Sequence, residues 1–235
     1  MLLLIPTPLS QGTPRLSVLQ DDLALVRQCK NWLVETPKAA RAALKTFDLP
    51  VPIRDLNMRS IKEIEPEELR AWLEKASADE PVGLISDAGC PAIADPGAEV
   101  VSLAQSIGCA VHPLVGPNSI VLGLMGSGLN GQNFHFWGYP PVQDAERDRW
   151  INQRELESGK NNTTQIVIET PFRNQKLFDA LINTLASQTR LCVASDLTGE
   201  RARVTTKHIA QWKERPLQLS KEPTLFLWLA PPNGR

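Results

Sequence analysis

The stretch Val82-Gly83-Leu84-Ile85-Ser86-Asp87-Ala88-Gly89-Cys90-Pro91-Ala92-Ile93-Ala94-Asp95-Pro96-Gly97 decides the fold. Val82 to Ile85 is a short apolar run, the signature of a strand buried on both faces of a parallel sheet. Two acids, two glycines and two prolines follow within a dozen residues. Gly89 and Gly97 open backbone angles closed to other residues, while Pro91 and Pro96 fix φ and remove amide donors. Asp95 is placed to cap a helix starting near Ala98, with Pro96 early in its first turn. Open α/β sheets bind ligands in loops of this kind, at the carboxyl ends of parallel strands. The same pattern also suits a tight strand-to-helix turn that holds no ligand.

On either side of this stretch the pattern alternates. Upstream, Leu2 to Ile5 reads as a strand, followed by a Pro/Gly-rich loop from Pro6 to Pro14. Leu19, Leu23 and Val26 mark a helix over Leu16 to Arg27, Trp32 to Val34 a strand, and Pro37 the start of a small helix. Ile53 to Leu56 reads as a weak strand, and Pro66-Glu67-Glu68 opens a helix to about Lys75. Downstream come a helix from Ala98 to Ile107, a strand from Cys109 to His112, and a helix from Ile120 to Met125. Strand and helix in turn predict a parallel sheet with crossover helices.

Gly126 to Gln132 is rich in Gly and Asn and reads as a domain boundary, giving domains 1–128 and 129–235. In the second half, strands are expected at Phe134 to Trp137, Gln165 to Ile168, Leu191 to Ala194, Val204 to Thr206 and Thr224 to Leu229. Helices are expected over Ala145 to Glu157, Gln175 to Leu185 and Ile209 to Lys213. The alternation is less regular, which predicts a mixed sheet.

Composition narrows the function classes. The chain has 235 residues, a formal net charge of -1, and no global electrostatic pull toward nucleic acid or anionic membrane. Cys29, Cys90, Cys109 and Cys192 lie far apart, and His112, His135 and His208 are scattered, so no metal site is expected. The opening Met-Leu-Leu-Leu-Ile stops at Pro6, too short for a signal segment. No run approaches a membrane span, and a cytoplasmic protein is the expectation. Gly-x-Ser-x-Gly, the Walker loop and Gly-x-Gly-x-x-Gly are all absent. What remains is a set of loops at strand ends: 6–13, 87–97, 113–119, 169–173 and 195–200. Together they suggest a cleft built from backbone groups around a polar ligand.

Ser86-Asp87-Ala88-Gly89-Cys90-Pro91, Asp95-Pro96-Gly97, Pro113-Leu114-Val115-Gly116-Pro117 and Glu169-Thr170-Pro171-Phe172-Arg173 occur in that order. This series resembles the tetrapyrrole methylase superfamily of S-adenosylmethionine-dependent methyltransferases. Within it, the chain is most similar to the 16S ribosomal RNA cytidine 2′-O-methyltransferase family. The resemblance runs from Leu2 to about Leu229. It implies an α/β fold of two α/β/α domains with the cofactor in the cleft between them, usually as a homodimer.

By motif, the resemblance assigns S-adenosylmethionine binding to Pro8 and Leu9, then to Gly89, Cys90, Pro91 and Ile93, and then to Asn118 and Ser119. In the second domain it assigns Ile168, Glu169, Leu197, Pro223 and Thr224. Glu169 and Asp95 are the acids nominated for work on a ribose hydroxyl, and Arg173 for holding a phosphate or pyrimidine edge. Asp95 also reads as a helix cap, Arg173 as a surface ion pair, and Asp87 as a brace of its own turn.

The chain departs from the ribosomal RNA branch on its acceptor side. Val34-Glu35-Thr36-Pro37-Lys38 lacks that branch's arginine, Phe172 replaces a histidine, and Asp196-Leu197-Thr198-Gly199 lacks a lysine. Three readings follow: methylation of ribosomal RNA with the small ribosomal subunit as partner, methylation of a tetrapyrrole or other small molecule, or a silent paralogue that binds cofactor or protein.

Overall fold

The computed structural model describes residues 1–10 and 17–232. The chain divides into two compact units, Met1–Asn118 and Ser119–Arg235.

Unit 1 holds an all-parallel sheet in the order β3-β2-β4-β1-β5. Its strands are β1 (Leu2–Leu4), β2 (Asn31–Val34), β3 (Asn57–Ser60), β4 (Val82–Ile85) and β5 (Val111–Pro113). Its helices are α1 (Leu23–Gln28), α2 (Pro37–Leu44), α3 (Pro66–Lys75) and α4 (Gly97–Ser106). Alternate residues along the central strands feed the two faces. Leu3, Trp32 and Val34 pack with residues of α1 and α2, whereas Leu2, Leu4 and Leu33 pack with residues of α3 and α4. The sheet is thus covered on both sides, which is why β1 and β4 are apolar without alternation.

The crossovers also locate the switch point of this sheet. From β1 the chain moves toward β2 and β3 over one face, and from β3 it returns to β4 and on to β5 over the other. The direction therefore reverses at the neighbouring strands β1 and β4. The crossovers that leave them cover opposite faces, and their outgoing loops meet at the carboxyl edge, the switch point of the sheet.

Unit 2 has a mixed sheet in the order β6-β7-β10-β8-β9. Only β6 and β7 pair in parallel. The strands are β6 (Phe134–Phe136), β7 (Thr164–Glu169), β8 (Arg190–Ser195), β9 (Arg203–His208) and β10 (Thr224–Leu229). One face carries α6 (Asp144–Asn161), α7 (Asn174–Thr184) and α8 (Ile209–Glu214), packed through Ile151, Phe178 and Trp212 on Val167, Val193 and Phe226. The other face carries α5 (Ser119–Ser127), whose Ile120 joins Ile166, Ala194 and Leu225.

Both units are three-layered α/β/α, as expected. Several elements differ from the reading of the sequence. The expected strand Ile53 to Leu56 is a 3-10 turn, Ile53–Asp55, and the strand is the more polar Asn57–Ser60 at the sheet edge. The first helix is short, Leu23–Gln28, behind a 3-10 turn at Gln20–Asp22, and Leu19 is exposed. Residues 11–14 of the first loop, and Leu16 at the start of the expected helix, lie outside the described residues. The strand expected at Cys109 to His112 runs Val111–Pro113. The contact division falls at Asn118 and Ser119 rather than at 128 and 129, because α5 packs on the unit 2 sheet. Gly123 permits that packing, since a Cβ there would stand 2.5 Å from Leu225 Cδ2.

Candidate functional site

In unit 1 the loops leaving β1, β4 and β5 converge on the carboxyl edge. Thr7 and Gly89 form a bridge, with Thr7 N–H donating to the Gly89 carbonyl at 2.9 Å and Gly89 N–H to the Thr7 carbonyl at 3.1 Å. Thr7 Oγ1 donates to the Ser86 carbonyl at 3.2 Å. Gly89 has φ +78, and a Cβ there would lie 3.0 Å from Leu9 Cδ2 and 3.4 Å from the Pro117 carbonyl oxygen. A side chain is excluded both by the backbone angle and by its neighbours. The Cys90 thiol donates to the Pro117 carbonyl at 3.3 Å and also meets Asn118. Burial pushes this thiol above its ordinary pKa.

Asp95 closes the loop. Its Oδ1 accepts from Ala92 N–H at 3.0 Å and from Gly97 N–H at 2.7 Å, which ties the turn to the first residue of α4. Ala92 and Ala94 hold φ of 67 and 62, left-handed values that cost energy without glycine. Asp95 Oδ2 is buried with no hydrogen-bond partner among the described residues. Burial raises the Asp95 carboxyl above the ordinary range, and Glu35 adds to the rise. Pro8, Leu9, Gly89, Cys90, Pro91, Ile93 and Asn118 therefore lie on loops of one edge, and Ile93 is 47% exposed. No lysine or arginine occurs in Pro6–Ser10, Ser86–Gly97 or Pro113–Asn118, whereas Asp87 and Asp95 do.

Asp87 braces more than its own turn. Its carboxylate accepts from Thr36 Oγ1 at 2.8 Å, and its N–H donates to Glu35 Oε2 at 3.2 Å. Lys62 Nζ pairs with Glu35 Oε1 at 3.3 Å. The loops after β2, β3 and β4 are thereby linked, a connection that spacing along the chain does not reveal.

In unit 2 the ends of β7 and β8 and the start of β10 share one edge. Glu169 is in register with Thr224, Thr224 is in register with Ser195, and Ser195 Oγ lies 3.0 Å from Thr224 Oγ1. Ile168 precedes Glu169 on β7, and Leu197 packs beside Ile168 in the layer under α5. Asp196 N–H donates to the Pro223 carbonyl at 3.0 Å. A Cβ on Gly199 would collide with the Asp196 carboxylate at 2.1 Å, so this turn requires glycine where the resembled motif carries lysine. Ser119 opens α5.

Glu169 and Arg173 meet as an ion pair. Arg173 Nε and Nη2 both reach Glu169 Oε2 at 2.9 Å, and Thr170 N–H donates to the same oxygen. Glu169 thus holds the arginine, and Oε2 is fully engaged. Phe172 beside it is 81% exposed, with Lys221 Nζ 5.1 Å from its ring centre. A small cavity next to this pair is lined by Arg147 and Lys176, neither of which was singled out in the sequence. Arg147 follows its partner Asp144 by three residues, a spacing that reads as an ordinary helix surface, while Lys176 pairs with Asp144 across from the other helix. Among the described residues, no cluster of His, Cys, Asp and Glu is arranged for a metal ion, and no helix is long and apolar enough to cross a membrane.

No family model matches the chain. Among curated proteins it is similar to ribosomal RNA small subunit methyltransferase I. The identity is 30% over 134 residues with the protein of Vibrio cholerae, covering 57% of this chain and 45% of that one. It is 28% over 216 residues with that of Bacillus subtilis, covering 90% and 70%. The chain thus spans less than half the length of the Vibrio protein. Among solved structures, a conserved hypothetical protein of Aeropyrum pernix superposes with a TM-score of 0.65 at 14% identity, covering 100% of this chain and 86% of that one. Uroporphyrin-III C-methyltransferase of Thermus thermophilus, solved with S-adenosylhomocysteine, superposes at 0.54 with 15% identity, covering 97% and 96%. The fold is the one shared with tetrapyrrole methylases, and the sequence resemblance is to ribosomal RNA methyltransferases, as the motifs imply.

Proposed function

We propose that this chain is an S-adenosylmethionine-dependent methyltransferase that methylates a ribose 2′-hydroxyl in ribosomal RNA. The observation that carries this reading is the cradle at the β1–β4 switch point of unit 1. Its described residues are backbone groups and apolar side chains with two acids, and they include no lysine or arginine. Such a site suits a cationic nucleoside ligand and disfavours a polyphosphate. The orphaned Asp95 Oδ2 fits the same ligand. Within unit 1, Pro8, Leu9, Gly89, Cys90, Pro91, Ile93 and Asn118 would hold it.

When bound, the cofactor supplies an already activated methyl group. The chain's task is to position the acceptor and exclude water. Arg173, held by Glu169, orients the acceptor. Glu169 is then a positioning residue, since its Oε2 is engaged. Asp95 Oδ2 combines burial, a free lone pair and a raised proton affinity, the properties of a general base for a weak hydroxyl nucleophile. The working form is a homodimer in the cytoplasm.

The test is methyl transfer from labelled S-adenosylmethionine to small ribosomal subunits, read as an alkali-resistant ribose linkage. Arg173→Lys is expected to raise KM for the subunit, because lysine lacks the planar fork. Label that enters a tetrapyrrole and not RNA would replace the acceptor, a second reading favoured by the exposed Phe172 ring. Label in neither acceptor would contradict the activity.

A further inference from the structure

The cavity beside the Glu169–Arg173 pair carries more than the methyl-transfer reading uses. Arg147, Arg173 and Lys176 line it, together with Pro141, Val142 and Glu169. Arg147 is only 8% exposed. Its Nη1 donates to Asp144 at 3.0 Å and its Nη2 to Asp148 at 3.2 Å, while its Nε is buried with no partner among the described residues. A guanidinium N–H is a strong donor, and burying it unsatisfied is costly.

The helices supply a second, independent observation. The N-termini of α6 and α7 both border this cavity; α6 carries Asp144 and Glu146 in its first turn, whereas α7 has no acid in its own. Arg173 stands at its N-cap and Lys176 within its first turn. The N-terminal end of a helix carries partial positive charge, so cations gathered there are repelled unless an anion joins them. Lys176 reaches across to Asp144 at 2.6 Å, the same carboxylate that meets Arg147. Asp144 is well exposed and therefore displaceable, whereas Glu169 is turned to Arg173 and the Thr170 N–H.

We propose that the Arg147–Arg173–Lys176 cavity is an oxyanion subsite that binds a phosphate group, with Arg147 Nε as its buried donor. Donors on three side chains at two helix ends suit a tetrahedral group with several oxygens better than a planar carboxylate. Taken with the proposed function, the group is a phosphodiester of the RNA acceptor, and that identification rests on the methyltransferase reading. The subsite itself does not.

The test titrates inorganic phosphate, with acetate at equal ionic strength as the comparison, into protein labelled with nitrogen-15 in arginine. The Arg147 Nε–H signal is assigned by its loss in Arg147→Lys. A saturable shift with phosphate and none with acetate is expected. Lys176→Gln, at an exposed position that folding tolerates, should raise the phosphate Kd about tenfold. Asp144→Asn removes the competing carboxylate and should lower it. An equal response to acetate, no saturable shift, or a Kd unchanged in both variants would overturn the proposal. Calorimetry with S-adenosylhomocysteine on the same samples separates the two claims. Phosphate binding without cofactor binding leaves the subsite standing and removes the methyltransferase reading.

Discussion

Asp95 can be read from its spacing as a helix cap, and its Oδ1 does bind Gly97 N–H. The spacing gives no sign that Oδ2 is buried and unpartnered, because that depends on how the loop closes. This oxygen has a consequence for pH. The folded-state proton affinity of Asp95 is raised by burial. The charged form is therefore penalised in the folded state at neutral pH, and the wild-type protein gains stability as pH falls through the raised pKa. Asp95→Asn keeps an acceptor for Ala92 and Gly97 N–H and removes the charge. The variant is expected to be at least as stable as wild type at neutral pH, with its advantage lost below about pH 4, near the unfolded value. Denaturant unfolding of both proteins across pH checks this. A variant that is weaker at neutral pH and recovers in acid would show a stabilising carboxylate instead. In the same variant, loss of the base should lower kcat about 10²–10⁴-fold.

At the scale of elements, legibility followed burial. The apolar run Val82–Ile85 and its Gly/Pro-rich exit were read correctly, because a strand buried on both faces leaves an unbroken pattern. The edge strand Asn57–Ser60 was missed, because one partner and an open side impose no such pattern. Ile53 and Leu56 looked like a strand, yet they flank a 3-10 turn and pack their apolar side chains from it. The motif loops were legible as loops, but the cross-links Glu35–Asp87 and Thr7–Gly89 are products of the sheet order. The cradle makes a prediction at this scale. In a Cys109→Ser background, Cys90 should be alkylated only at pH above the ordinary thiol range, since burial raises its pKa and the thiolate is the nucleophile. Cys29 should stay inert, its thiol pushed up to about 12. S-adenosylhomocysteine should protect Cys90. Mass spectrometry of alkylated peptides reads all three, and unprotected Cys90 would place the cofactor elsewhere.

At the scale of the whole molecule, two three-layered units with different sheets follow from two kinds of strand pattern. Unit 1 alternates strand and helix regularly and forms an all-parallel sheet; in unit 2, β10 inserts antiparallel between β7 and β8. The mixed character of the second sheet was legible in its irregular spacing. The start of unit 2 at Ser119 was not, because a Gly/Asn-rich stretch marks a flexible connection and does not say which sheet the preceding helix covers. The cavity at Arg147 was equally illegible, since its lining comes from the starts of two successive helices brought together by the strand β7 that lies between them in sequence.

The central claim is that the cradle of unit 1, whose described loops carry two acids and no lysine or arginine, belongs to an S-adenosylmethionine site. Isothermal titration of the purified chain with S-adenosylhomocysteine tests it most directly. The account predicts saturable binding at one site per chain, and thermal unfolding raised in step by about 2.7 kcal/mol when ligand reaches a hundred times its Kd. Absence of binding up to millimolar ligand, in protein that is folded, would contradict it.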